Sequence, residues 1–238
     1  MPKERHYISL EFFQNQEIRL EGPEFHHLVI VMRKGVGDTI ELVNGFGGYA
    51  QAALIEVQKK WVLLKVVSFT STPKGSSEII LAQAIPRLQR LDFILEKGTE
   101  LGMTALWLFP GYHSEKKELS SNQMERLRHM TVAAMKQCGR LFLPEIVIRP
   151  PLQKWEKPLI PLYYGTFAHG APLFLDQWAQ NTSENGIFCI GPESGWHPSE
   201  EEALNNLGGL GVKLHTNILR TETAAITALA LMTHTKNK

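Results

Sequence analysis

Short apolar runs, rather than helical stripes, dominate the first seventy positions. DTIELVN (38–44), YAQAALIEV (49–57) and WVLLKVV (61–67) are rich in β-branched or alternating apolar residues, with GFGG after the first and QKK before the third. Runs of this length at turn spacing predict strands joined by hairpins, and together a small barrel or sheet. One short helix is predicted at PEFHHLVIVM (23–32). TSTPKGSS (70–77) then breaks both periodicities with small polar residues, Pro and Gly, as a linker does.

Beyond the linker the pattern changes. EIILAQAI (78–85) has the composition of a buried strand. RLQRLDFILEKGTEL (87–101) places Leu88, Leu91, Leu95 and Gly98 on one helical stripe, with Gly102 just past its end. ALWLF (105–109) is again a strand. In SSNQMERLRHMTVAAMKQCG (120–139), Ser120 and Gln123 have capping-box spacing and Gly139 stops the helix. EIVIR (145–149), PLYYG (161–165), IFCI (187–190) and VKLHT (212–216) are further short apolar runs, most of them separated by helices. This alternation predicts an α/β fold with a mostly parallel sheet covered on both faces. Two domains are expected, a β-rich one over 1–72 and an α/β one over 73–238.

Composition narrows the picture. The 238 residues are 43% hydrophobic and 21% charged, as in a folded globular protein. The formal net charge is +1, so any nucleic-acid role must come from a local patch. Cys138 and Cys189 stand in apolar surroundings without metal-ligand spacing, so buried reduced thiols in a reducing compartment are expected. MPKERHYISLEFF has no signal-peptide core, and AAITALALM is far short of the ~20 residues that span a bilayer. A cytoplasmic protein without membrane contact is expected. The nine histidines carry neither an H-E-x-x-H motif nor a paired Cys/His spacing, so no metal site is expected.

Candidate chemistry lies in two late loops. Parallel sheets place ligands at the C-terminal ends of strands, where loops lead into helices. GPESGW (191–196) is such a loop, with Gly191 and Gly195 allowing close backbone approach, and Ser199 is expected to cap the next helix with Glu202. The alternative is a tight turn without a ligand. In TNILRTETA (216–224) a strand is expected to end near Thr216 and a helix to begin near Thr221 or Glu222. Thr221 and Thr223 are candidate caps, and Glu222 suits the positive end of the helix. No Walker phosphate loop and no G-x-S-x-G elbow occurs. GFGGYA (45–50) fits G-x-G-x-x-A, but it lies between two predicted strands and opens no helix, so a hairpin turn is expected there.

IGPESGWHPSEEE (190–202) followed by LHTNILRTETAAITAL (214–229) resembles the small-subunit ribosomal RNA uridine-N3 methyltransferases of the SPOUT superfamily. The usual pattern there is G-P-E-G-G-x-[ST]-x-x-E, then L-G-x-x-I-L-R-x-E-T-A. LDFILEKGTELGMTALWLFP (91–110) and QCGRLFLPEI (137–146) resemble further family segments, and FHHLVIVMRKGVGDTIELVNGFGGYAQAAL (25–54) resembles the family's PUA-like RNA-binding domain. Ser194 departs from the usual Gly, Trp196 from a Phe or Leu, HTNILR lacks the Gly before Ile-Leu-Arg, and HSEKKEL only partly matches a Ser-Glu-Arg-Ser segment.

The resemblance implies a SPOUT-type trefoil knot in the C-terminal domain, a homodimer, S-adenosyl-L-methionine as cofactor, and 16S ribosomal RNA of the small ribosomal subunit as substrate. Other SPOUT substrates (tRNA or a ribose oxygen) and a non-catalytic assembly factor are the alternatives. By the same resemblance Thr166, Ile190, Gly191, Pro192, Glu193, Gly195, Ile218, Leu219, Arg220, Thr221, Thr223 and Ala224 are expected to bind the cofactor. Arg220 and Glu222 are the catalytic candidates. Arg220 would stabilise the uridine N3 anion or contact a phosphate; the alternative is an ion pair with an acid such as Glu193. Arg5, Arg33, Lys34, Arg126, Arg128, Lys136 and Arg140 are the candidate RNA contacts; their spacing does not place them all on one face.

Overall fold

The computed structural model describes residues 5–234. The chain forms two compact units: one takes the N-terminal residues to Gly75 together with Val132–Leu143, the other Ser76–Thr131 and the residues from Pro144 onward.

The first unit is a curved sheet. Its strands are β1 (Arg5–Tyr7), β2 (Glu17–Glu21), β3 (Thr39–Val43), β4 (Gly48–Val57) and β5 (Trp61–Ser71), in the order β1-β3-β4-β5-β2. The β1–β3 pairing is parallel and the others are antiparallel. Inward-facing alternate residues, among them Leu54, Leu64, Val66, Ile18 and Leu42, make the core. A short helix α1 (Gly22–Phe25) continues into a wider π-helical stretch, His26–Val31, and seats Leu28 in that core.

GFGG is the β3–β4 hairpin turn. Gly45 and Gly47 have φ of 84° and 104°, and a Cβ on Gly47 would collide with the Thr72 carbonyl. Only glycine fits there. Residues 132–143 complete this unit from a distant part of the chain. Gly47 N–H donates to Leu141 O at 2.9 Å, Leu143 N–H to Gly45 O at 2.8 Å, and the Arg5 guanidinium to Gly139 O at 2.6 Å.

The second unit contains β6 (Ile79–Ala84), α2 (Leu88–Glu100), β7 (Ala105–Phe109), the first part of α3 (Ser121–Cys138), β8 (Glu145–Ile148), β9 (Leu162–Gly165), α4 (Phe174–Gln180), β10 (Gly186–Ile190), α5 (Pro198–Asn206), β11 (Leu210–Val212) and α6 (Thr221–His234). All strand pairings are parallel, in the order β11-β9-β10-β6-β7-β8. Alternate residues along each strand feed two cores. Ile79, Leu81, Leu106, Leu108 and Phe188 pack with α2, α4 and α6 through Leu91, Ile94, Leu95, Trp178, Leu229 and Met232. Ile80, Ala82, Ile187 and Cys189 pack with Ala203 and Leu204 of α5, and with Leu152 and Trp155. Each fully buried Leu or Ile contributes about 1.5–3 kcal/mol by leaving water.

The capping box of α3 is present: Ser120 N–H donates to Gln123 Oε1 at 2.9 Å, Gln123 N–H to Ser120 Oγ at 3.3 Å, and Gly139 ends the helix at φ 87°. Three expectations are corrected. The last strand is Leu210–Val212, not 212–216, because the run begins after the glycine pair 208–209 and Lys213 makes only an isolated bridge with Leu173. His197, not Ser199, caps α5: its Nδ1 accepts from Ser199 N–H at 3.2 Å, and Glu200, not Glu202, closes the box by accepting from His197 N–H at 3.0 Å. Cys189 is fully buried, but Cys138 is only half-buried.

Candidate functional site

The chain runs outward from β6 to β7 and β8, then returns to lay β9 and β10 on the other side of β6. Connections diverge there, and such a switch point leaves a crevice beyond the strand ends. A cavity of about 750 Å³ occupies this position, lined by the loop after β9, the loop after β10 and the segment joining β11 to α6. Its size is that of a site for a drug-sized ligand.

Trp196 ties two of these loops together. Its Nε1 donates to Gly165 O, at the end of β9, at 2.8 Å, and its ring lies parallel to Phe109 at a 6.3 Å centroid separation. The same indole covers Gly191: a Cβ there would meet it at 3.0 Å. Within the loop, Gly195 N–H donates to Pro192 O at 2.9 Å with Gly195 at φ 85°, a left-handed turn that favours glycine. The start of α6 is fixed from β6. Gln83, fully buried, donates to Thr221 Oγ1 at 3.0 Å and to Ala84 O at 2.9 Å.

The charges at the crevice centre on Arg90, in the first turn of α2. Its guanidinium donates to Glu193 at 2.5 Å and lies 3.7 Å from Glu222. Glu222 Oε2 is buried and accepts no hydrogen bond. Sequence reasoning missed Arg90. A cation at the positive end of a helix is unfavourable unless carboxylates face it, and that was the available signal.

The cavity lining gathers Thr166, Ile190, Gly191, Pro192, Glu193, Gly195, Ile218, Leu219, Arg220, Thr221 and Ala224. Thr223 and Glu222 do not line it: Thr223 is exposed on α6, and Glu222 points to Arg90. The pairing of Arg220 with Glu193 does not occur, because Arg90 takes Glu193. Arg220 is an exposed cavity residue with no ion pair among the described residues.

The candidate RNA contacts scatter. In the second unit, Arg126 is held by both carboxylate oxygens of Asp92, at 2.8 and 2.5 Å, while Arg128 is exposed. In the first, Arg5 is spent on Glu41 and Gly139 O, and Lys136 on Glu24 at 2.5 Å. Arg140 is half-buried, and desolvation pulls its pKa below the usual value. Arg33 is exposed with φ 56°, beside a half-buried Lys34. Among the described residues no cluster of His, Cys, Asp or Glu could hold a metal, and no helix is long and apolar enough to cross a membrane.

The second unit is thus an α/β domain with a parallel sheet and a crevice at its switch point, and the first is a small curled β domain. The chain belongs to the RNA methyltransferase domain family, whose model matches residues 73–233; an RNA methyltransferase PUA domain matches residues 20–67. It is 27% identical to the ribosomal RNA small subunit methyltransferase E of Bacillus subtilis, over 97% of this chain and 96% of the relative. To the protein of that name from Buchnera aphidicola it is 26% identical, over 96% and 92%. A crystal structure of the ribosomal RNA small subunit methyltransferase E of Neisseria gonorrhoeae, bound to S-adenosylmethionine, superposes with a TM-score of 0.83 at 27% identity, covering 97% of each chain.

Proposed function

We propose that this protein is a cytoplasmic, homodimeric, S-adenosylmethionine-dependent methyltransferase that modifies N3 of a uridine in small-subunit ribosomal RNA. The observation that carries the proposal is the crevice itself: glycine loops after β9 and β10 and the α6 start enclose a cavity of ligand size, with a guanidinium, Arg220, on its lining that makes no ion pair among the described residues. The knotted path implied by the sequence motifs, and the use of the β-rich domain 1–72 as an RNA clamp for the catalytic domain 73–238, belong to the same proposal.

The residues fit the cofactor. Gly191, Pro192 and Gly195 let a ligand approach the backbone closely, Leu219 and Ala224 offer apolar surface, and Thr166 and Thr221 offer hydroxyls. When bound, S-adenosylmethionine supplies a methyl group made electrophilic by its sulfonium. The protein's task is to hold the base at near-attack distance, a contribution of several kcal/mol by orientation alone. Uridine N3 must lose its proton before or during attack. Arg220, exposed at the crevice and without a carboxylate partner among the described residues, is suited to stabilise the resulting anion or a neighbouring phosphate. Glu222, the other catalytic candidate, faces Arg90 as its counter-charge.

The test is to incubate the protein with methyl-labelled S-adenosylmethionine and either free small-subunit RNA or assembled subunits, then map the labelled nucleoside by mass. N3-methyluridine is expected. Label on a ribose oxygen or only on tRNA would select a different enzyme of the same fold, and absence of cofactor binding at millimolar concentration would leave an assembly factor.

A further inference from the structure

Beside the crevice, three rings meet on two loops. Tyr112, in the loop after β7, stacks on His197, in the loop after β10, with centroids 3.8 Å apart and planes 20° from parallel. His113 stands edge-on to both, at 5.0 and 5.9 Å. Tyr112 is 59% exposed, a large value for a ring already stacked on one side. The arrangement is rigid. The buried carboxylate of Glu200 accepts from Tyr112 N–H at 2.9 Å and from His197 N–H at 3.0 Å, so one side chain fixes both loops. Lys117 Nζ, from the same loop, donates to the carbonyls of Gly111 and Tyr112. The loop adjoins the crevice wall: a Cβ on Gly111 would lie 3.4 Å from Pro192 of the glycine loop.

We infer that Tyr112, backed by His197 and His113, is a stacking platform for an unpaired base of the RNA substrate next to the one being methylated. This rests on the RNA methyltransferase function proposed above. A pre-ordered ring with one open face stacks on a base at little entropic cost, and stacking tolerates any base because every base has a π-face. An enzyme acting at N3, on the pairing edge of uridine, needs its target unpaired, and its neighbours lose stacking partners when that base leaves the helix. A platform beside the crevice replaces one of them. Lys116, exposed in the same loop, supplies a cation for the backbone.

The test uses the full chain in three variants, Tyr112→Ala, Tyr112→Leu and Tyr112→Phe, with steady-state methyl transfer to isolated small ribosomal subunits and calorimetric titration of S-adenosylmethionine. Tyr112→Ala and Tyr112→Leu are expected to raise KM for the RNA about ten-fold, equal to about 1.4 kcal/mol, with kcat and cofactor affinity changed less than about two-fold. Tyr112→Phe should restore the KM, since the ring and not the hydroxyl stacks. A Leu variant as good as Phe would reduce the site to apolar contact and overturn the inference, as would a wild-type KM in Tyr112→Ala or a Phe variant as poor as Ala. If the wild-type protein methylates the subunits and Tyr112→Ala matches it, only the platform falls. If the wild type transfers no methyl group to them, the proposed function falls with it.

Discussion

Replacing Arg90 by Ala should loosen the crevice from a distance. Arg90 joins the glycine loop, through Glu193, to the start of α6, through Glu222. The 2.5 Å contact to Glu193 is a charge-assisted hydrogen bond, a class that contributes about 1.5–3 kcal/mol. The three side chains are 29%, 31% and 19% exposed, so solvent screens part of that. Glu222 adds a second cost. Its buried Oε2 has no hydrogen bond, and without Arg90 its charge would stand uncompensated, a situation that costs about 3–5 kcal/mol when burial is complete and less here. Together these predict a loss of about 2 kcal/mol, or a fall in Tm of about 4–8 °C at this chain length.

The discriminating experiment is a double-mutant cycle. Glu222→Gln removes the charge that Arg90 neutralises, so Arg90→Ala should cost about 1 kcal/mol less in the Glu222→Gln background. Urea denaturation measures stability and calorimetry measures cofactor affinity, which should weaken in Arg90→Ala because Glu193 loses its anchor. Additivity within about 0.5 kcal/mol would show that the two groups do not interact and would refute the bridge.

Three further outcomes are expected. Trp196→Phe keeps a ring against Gly191 but loses the donor to Gly165 O, so cofactor affinity should fall about five-fold, near the ~1 kcal/mol of a neutral hydrogen bond; an unchanged Kd by calorimetry would show that the loops hold each other without it. Arg220→Ala should lower kcat strongly with little change in cofactor Kd or Tm, the pattern of lost transition-state stabilisation, and Arg220→Lys should not restore it if the contact is bidentate; a collapse of Tm would instead make Arg220 structural. At Glu24, burial pushes the carboxyl pKa up, but hydrogen bonds from His6 and Lys136 outweigh it and hold the pKa below its ordinary value. A lowered folded pKa means that this stabilisation is present above the unfolded pKa near 4.5 and is lost as pH falls through the folded one. Glu24→Gln should therefore lower stability at neutral pH and flatten its acid limb, and denaturation midpoints with the wild-type pH profile would exclude this.

The strands and helices of both units were legible where periodicity and punctuation agree: the capping box at Ser120, the stripe of α2 and the GFGG turn all stand where their residues require. Two of the misses turn on a partner far along the chain, whereas the bounds of β11 turn on the local glycine pair 208–209. His197 is a poor cap by residue type and becomes one because Nδ1 accepts from Ser199 N–H while Glu200 is stapled to Tyr112, 88 positions away. Residues 132–143 group with the first unit because Gly45 and Gly47 bond their backbone, a pairing that no local pattern carries. The pairing of the cations was the least legible feature, since Arg126, Lys136 and Arg5 have carboxylates waiting at separations of 34 to 112 positions.

The same fact gives Arg220 its interest. Most arginines near the crevice and on α3 that could pair internally do so: Arg87 takes Glu115, Arg90 takes Glu193, and Arg126 takes Asp92. Glu193, the acid expected to neutralise Arg220, is drawn off by α2. A guanidinium left exposed on the lining of a cavity, while Glu193 of the same lining is taken by Arg90, retains its charge for whatever enters. Placing Arg90 at the unfavourable end of a helix is tolerable only because two carboxylates face it, and those two are the acids of the glycine loop and the α6 start. The cost at α2 and the open charge at Arg220 are thus two sides of one arrangement. It predicts that Arg90→Ala, besides loosening the loop, should lower kcat, because Glu193 is then released toward Arg220.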